Sequence, residues 1–565
     1  MKQATFLLAL ALTACTTTAP KAVPFSVIEA DIPAMQAAMA AGELTSRELV
    51  ERYLVRLATY EDRLNAALAV NPAALDEADA LDRERAQGRV RGPLHGIPVA
   101  LKDNIQTTHL PTTGGALAFA GWVPPYEATL TKNLTDAGAI IIAKAGLTEL
   151  ANWVAGNPNA MPGNYNAVGG FGFNPYDPRP DPRPDPGDGR PALSTGGSSS
   201  GIGTAANLWA ASVGTDTGGS VISPSNASML VGIRPTTGRI SRYGIIPITA
   251  DHDSAGPMTR TVTDAAIMLG ALEGASPDPN DAATQTCTPP PGGDYTAFLN
   301  RDSLKGARIG VPRAFYIDPI TLPGEKEGRG GINAEQAQVM ADAIAVMTQQ
   351  GAVIVDPADL PSFVATSVDD SFPKWDFCAG AEHAKGKDAG CTTIFKYGMK
   401  RDFNAWLTTL GPAAPFTSLT GLREWNTAHA AAGAIRYQQS RLDISDEIDL
   451  VADKARYEAD HARDLRLSRD QGIDAVLTAH GLDAFIAPGG SGAGVASRAG
   501  YPVIAVPFGM VPNAPTRPFP AGFDAKPAPY GITFVGAQCS EPRLIALAYA
   551  FEQATRKRVP PPSAP

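Results

Sequence analysis

The sequence is short of charge. Asp, Glu, Lys and Arg make up 18% of its 565 residues, against about a quarter in an ordinary globular chain. It also lacks a basic excess: 47 Lys and Arg face 57 Asp and Glu, for a net charge of −10. A surface of that sign cannot neutralise a phosphate backbone, which excludes a dedicated nucleic-acid binder. Histidine is scarce, with seven residues, and the five cysteines are scattered. No HExxH, CxxC or zinc-type spacing occurs, so a metal enzyme is disfavoured and no cofactor is expected. The nearest ligand-like cluster is Asp251-His252-Asp253. Its adjacent side chains would point in different directions, so it reads as a loop. Beyond the N-terminus no apolar run approaches the roughly 20 residues of a membrane span, so the body reads as soluble.

Gly and Pro are plentiful instead, at 56 and 49 residues. Their combined share exceeds the usual 12% or so yet stays below the roughly 25–30% of disordered chains. Hydrophobic residues make up 44%, and a chain this long can bury a large core. The expectation is a folded protein with many turns.

Met1 to Cys15 reads as an export signal. Lys2 supplies a short positive region and Phe6 to Leu12 an apolar stretch too short to span a bilayer. The stretch ends in Leu12-Thr13-Ala14-Cys15, which resembles the bacterial lipobox, with Cys15 as the lipid acceptor. Ordinary cleavage beside an incidental Cys is the alternative. Thr16 to Ala22 then forms a tether, so residues 1–22 are signal and tether and the body runs over 23–565. Export implies an oxidising compartment and membrane contact only through the anchor. Four Cys remain: Cys287, Cys378, Cys391 and Cys539. Cys378 and Cys391 bracket a Gly/Lys-rich loop and are the first choice for a pair; four free, buried thiols are the alternative.

Along the body, residues 27–61 read as helical, broken at Gly42, with Thr45 and Glu48 as a capping box. Strands are expected at Ile97–Leu101, Ala139–Ala143, Val353–Val355, Ala484–Ala487 and Val503–Pro507. Helices are expected over 131–138, behind Asn333 up to Gly351, and over 541–556. Strands alternating with helices argue for an α/β fold: one large domain with a mixed, mostly parallel sheet covered on both faces. The segment 177–187, alternating Asp, Pro and Arg, reads as a surface loop because its prolines cannot donate to a ladder.

Three segments carry chemistry. In Gly96–Asn104 an apolar strand ends in Lys102, whose ammonium is drawn toward a dry site; desolvation favours the neutral amine, a base. In Ser194–Gly201 a Gly/Ser run can turn tightly and expose hydroxyls. In Val213–Ser220 two glycines before a Ser permit unusual φ values and amides aimed at one spot, as a developing oxyanion needs. Each alone is matched by a plain structural reading: a snorkelling Lys, a flexible loop, a tight turn.

Together they resemble the amidase signature family, hydrolases with a Ser–cisSer–Lys triad. The likeness extends to Gly232-Ile233-Arg234-Pro235-Thr236, to Asp253–Arg260, to Gly500-Tyr501-Pro502 and to Ser540–Leu544. It covers nearly all of 27–560, with a signature core at about 90–265, and is greatest toward the peptide-amidase-like branch. The resemblance implies an amidase that hydrolyses carboxamide C–N bonds through an acyl-enzyme. Ser220 would be the nucleophile, Lys102 the base and Ser198 the bridging Ser on a cis peptide bond. The amides of Thr217, Gly218, Gly219 and Ser220 would form the oxyanion hole. The substrate would be a small-molecule or peptide amide, and the protein a monomer or homodimer. The stretch from Ser198 to Ser220 is shorter than in many members, which leaves Ser199 as the alternative bridge.

Other readings compete. Gly197-Ser198-Ser199-Ser200-Gly201 also fits the GxSxG elbow of an α/β-hydrolase esterase, with Ser199 as nucleophile, but that elbow needs a buried strand just before it. A non-catalytic binding lipoprotein would show lost triad residues, and none is lost. An amidotransferase acting on charged tRNA is opposed by the export signal and the missing basic face. Trp153, Trp375, Phe377, Phe395, Tyr397, Phe403 and Trp406 are aromatic candidates for a substrate pocket, with core packing as their alternative role.

Overall fold

A computed structural model describes residues 25–565. The export signal, Cys15 and the tether lie outside the described residues. The first helical region is two helices, Ile32–Ala40 and Ser46–Leu64, with Gly42 between them at φ +72°. Thr45 Oγ1 accepts the Glu48 amide while the Glu48 carboxylate accepts the Thr45 amide, closing the capping box. Asn333 and Gln336 form a second box at the start of helix Ala334–Gln349.

One sheet of eleven strands runs through the body. The strands are β1 (Ala67–Val70), β2 (Pro98–Lys102), β3 (Ile140–Ala145), β4 (Ala211–Asp216), β5 (Val231–Arg234) and β6 (Ser254–Thr259). They continue as β7 (Arg308–Gly310), β8 (Val353–Val355), β9 (Ala484–Pro488), β10 (Val503–Val511) and β11 (Ala528–Val535). Their order is β1-β3-β2-β4-β6-β5-β10-β11-β9-β7-β8. Parallel pairing is confined to two blocks, β3-β2-β4 and β9-β7-β8. The strands between and beside them pair antiparallel. The sheet is therefore mixed, with a smaller parallel share than expected. Antiparallel neighbours such as β10 and β11 are joined by a loop, whereas parallel neighbours need a helical crossover.

Both faces are covered, as expected. Side chains alternate along a strand. In β9, Ala484 and Ile486 join one core cluster with helices Val262–Glu273 and Glu541–Thr555. Phe485 and Ala487 join another with helices Ile222–Ala227 and Ala493–Ala499. The loop 177–187 is held at the surface, where the Arg179 and Arg183 guanidinium groups lie 4.4 and 5.0 Å from the ring centres of Phe523 and Phe519.

The four Cys of the body are paired, Cys378 with Cys391 as first choice and Cys287 with Cys539. The two links close loops of 13 and 252 residues. Chain entropy assigns the short loop about 3 kcal/mol and the long one about 5 kcal/mol. Cys287→Ser is accordingly expected to lower the thermal midpoint more than Cys391→Ser, measured by calorimetry at one scan rate.

Candidate active site

The three singled-out segments meet at the C-terminal ends of β2 and β4, where parallel strands present ligand sites. Parallel pairing sets Leu101 of β2 against Val213 of β4, so Lys102 comes level with the end of β4. Its side chain is buried, and Nζ lies 2.8 Å from Thr215 Oγ1 and 3.1 Å from the Thr215 carbonyl. Among the described residues no carboxylate pairs with it. Burial pushes its pKa down to about 8, against the opposing pull of the Asp216 and Asp253 charges. Lys144, the buried lysine on neighbouring β3, differs: its Nζ is 3.1 Å from Asp103 Oδ1. That partner pulls toward a charged Lys144 although burial also pushes its pKa down, whereas Lys102 has, among the described residues, only the Thr215 oxygens as hydrogen-bond partners.

Ser220 follows β4 on a turn pinned by Asp216. The Asp216 carboxylate accepts the amides of Gly219 at 2.7 Å and Val221 at 2.8 Å, and Arg234 Nε lies 3.2 Å away. Gly219 has φ +123°, and a Cβ there would come within 3.3 Å of Ala493. Ser220 is half-buried and Gly218 exposed. The Gly219 amide, expected in the oxyanion hole, is thus engaged by Asp216, because a buried carboxylate must gather donors. No such side-chain engagement is seen at Thr217, Gly218 or Ser220. The Thr217 hydroxyl donates to Asp253 Oδ1 at 2.5 Å, and Asp253 also accepts the amides of Ile248 and Thr249. Burial pushes the Asp253 carboxyl up to about 6. Asp253→Asn is expected to lower kcat about tenfold with little change in KM, since it weakens the acceptor that holds Thr217, Ile248 and Thr249; steady-state kinetics on a simple amide checks this.

Ser198 caps helix Ser199–Ala205, its Oγ accepting the Ser200 amide at 3.3 Å. Gly196 and Gly197, at φ +68° and +96°, turn the chain into it. A Cβ at Gly196 would fall 2.3 Å from the Pro224 nitrogen, so glycine there lets the Ser198 turn lie directly on the segment after Ser220. The expected cis bond before Ser198 is absent: the cis bonds among the described residues precede Pro158, Pro186 and Pro357. A non-proline cis bond costs about 3 kcal/mol, and the two glycines make the turn without it. In this trans arrangement Ser198 Oγ is not hydrogen-bonded to Lys102 or Ser220. Ser199 is buried, its Oγ accepting from Asn164 Nδ2 at 3.0 Å. No strand precedes it, so the esterase elbow is not formed.

Several partners of the site carried no role at the level of sequence. Thr215 grips Lys102, Asn104 Nδ2 donates to Thr215 Oγ1 at 3.0 Å, and Asp253 holds Thr217. Each is adjacent to a motif residue but partnered across the fold. In the 251–253 cluster Asp251 pairs with Arg401 and Tyr457, Asp253 serves Thr217, and burial pushes His252 down to about 3. Its side chains go separate ways, as a loop's would. Of the aromatic candidates, Trp153 stands edge-on to Phe395, Phe377 stacks on Phe395 and Tyr397 on Tyr457. Trp406 alone among them borders the cavity beside Thr215 and Thr217.

Comparison with known proteins agrees with this geometry. The family model named Amidase matches residues 48–545. A probable amidase of Arabidopsis thaliana is 32% identical over 542 residues, covering 95% of this chain and 92% of its own. The structure of the native peptide amidase from Stenotrophomonas maltophilia superposes with a TM-score of 0.78 at 35% identity, over 95% of this chain and 99% of that one. That of an amidase family protein from Bacillus anthracis gives 0.76 at 29% identity, over 95% and 92%. The chain belongs to the amidase signature family. It is a hydrolase of amide C–N bonds.

Proposed function

We propose that Ser220 is the nucleophile of this amidase, with Lys102 as base and Ser198 as the hydroxyl between them. The observation that carries this is Lys102 itself, buried without a carboxylate partner and held by Thr215, five residues before Ser220. Neutral Lys102 Nζ takes a proton from Ser198 Oγ, which takes one from Ser220 Oγ. Ser220 Oγ bonds to the carbonyl carbon, and the oxyanion gains hydrogen bonds from backbone amides of the Thr217–Ser220 turn. The C–N bond breaks as the proton returns to the leaving nitrogen. Water then hydrolyses the acyl-enzyme, releasing the acid and restoring Ser220. For this relay Ser198 Oγ turns from its own helix cap toward Lys102; such bonds tighten only when substrate is bound.

Labelling by a fluorophosphonate probe tests the nucleophile. Ser220→Ala is expected to abolish it and Ser199→Ala to leave it. The reverse pattern would place the nucleophile at Ser199.

Likeness to a peptide amidase over nearly the whole of both chains supports a peptide amide as the substrate class. Leu12-Thr13-Ala14-Cys15 supports export and lipid anchoring at Cys15, and the pairing of all four other Cys fits an oxidising compartment. Cys15→Ser should then move the protein from the membrane fraction to the soluble one. Retention on the membrane would discard the anchor.

A further inference from the structure

A cavity of about 190 Å³ borders the site, and the chemistry above makes no use of it. Thr215 and Thr217 form part of its wall, so it touches both the residue that grips Lys102 and the start of the nucleophile turn. Tyr126, Ile246, Ile248 and Trp406 also line it. Two distant parts of the chain close it: the segment 242–254 and the helix Ile394–Thr409.

Charged residues also border the cavity, but each is engaged within the protein. Arg242 holds Asp281 through two contacts, at 2.7 and 2.5 Å. Asp402 accepts two bonds from Arg401, at 2.7 and 2.8 Å, and the Ala250 amide. Asp253 is taken by Thr217, Ile248 and Thr249. The cavity is lined mostly by apolar and aromatic residues, with Asn104, Thr215, Thr217 and Asn280 among its uncharged polar members, and its charged residues are engaged within the protein. Its size suits a modest group: a cavity of about 150 Å³ lined by apolar side chains is enough to hold benzene.

We propose that this cavity is the specificity pocket for one uncharged, apolar group of the amide substrate, the size of a single aromatic ring or a branched aliphatic chain. The proposal rests on Ser220 as nucleophile, because the cavity adjoins that turn. The apolar group can belong to the acyl side of the scissile bond or to its nitrogen side. The recognition chemistry is the same for both, and the substrates below separate them.

The test fills the pocket from two independent walls, with Ile248→Trp and with Ala405→Leu, the latter on the helix and remote in sequence from the nucleophile turn. Three amides are compared by kcat/KM: acetamide, the primary amide of 3-phenylpropanoic acid, and acetanilide. Each variant is expected to lower the ratio of a ring-bearing amide to acetamide at least thirtyfold, chiefly through KM. A fall for the phenylpropanamide assigns the pocket to the acyl side, and a fall for the anilide assigns it to the nitrogen side. Ratios within threefold of the parent for both ring-bearing amides, in both variants, would overturn the proposal. Failure of the underlying reading shows separately, as acetamide turnover that survives Ser220→Ala.

Discussion

Ser220→Ala is expected to lower kcat/KM for amides by about 10⁴-fold or more while leaving the fold intact. The side chain is half-buried at a turn whose shape is imposed by others: Asp216 takes the amides on either side of Ser220, and Arg234 neutralises Asp216. Removing one hydroxyl from such a turn deletes the proposed attacking atom and little else. Knockouts of serine nucleophiles elsewhere lose catalysis on this scale because the remaining groups have no bond to make. The thermal midpoint should move by no more than a surface substitution would move it. Turnover within tenfold of the parent would remove Ser220 from the chemistry.

Lys102→Ala is the second large effect, and it should depend on the leaving group. An amide expels a poor leaving nitrogen that must be protonated, so loss of the base should cut amide turnover by about 10³-fold; an ester with a good leaving group should lose much less. The pH profile gives a second readout. With Lys102 as the proposed base its neutral form is the competent one, and its pKa is pushed down to about 8, so kcat in the parent is expected to rise with pH through a midpoint near 8. In Lys102→Ala that midpoint disappears. An unchanged profile would assign the titration to another group.

The same burial has a stability consequence of fixed sign. Lys102 in the folded chain sits below its ordinary value of 10.5. Between pH 8 and 10.5 the unfolded chain binds more protons than the folded one, so folded stability increases with pH across that window. Below pH 8 the full penalty is present, about 3 kcal/mol for a displacement of this size. Lys102→Met should therefore depress amide turnover as Lys102→Ala does yet raise the thermal midpoint at pH 7, as expected where a buried functional charge is exchanged for stability.

Much of this was legible before any fold was known, for local reasons. Thr45 and Glu48 lie three residues apart, so their capping box is a sequence signature, as is the box at Asn333. Short apolar runs marked β2, β3, β8, β9 and β10 to within a few residues, because a buried strand needs little beyond its own side chains. Lys102, Ser198 and Ser220 stood out only when their three segments were taken together as a family likeness, since each segment alone has a plain structural reading. The parallel share of the sheet was less legible, since strand direction is set by which neighbour each strand meets. The bond before Ser198 was read as cis from family likeness, while the two glycines ahead of it already supplied the turn.

What the sequence by itself determined is the family, the amide chemistry and the alternation of strands with helices, and it singled out the residues proposed to carry that chemistry. These depend on residue type and near spacing. The tertiary structure alone decided how the site is held. Thr215 grips Lys102 across 113 residues, Asp253 holds Thr217 across 36, and Cys287 meets Cys539 across 252. It also decided that a cavity closes between Thr217 and Trp406. The physical reason is one and the same. A buried polar group or an enclosed space takes its character from whatever the fold brings against it, and in this fold those partners come from distant parts of the chain.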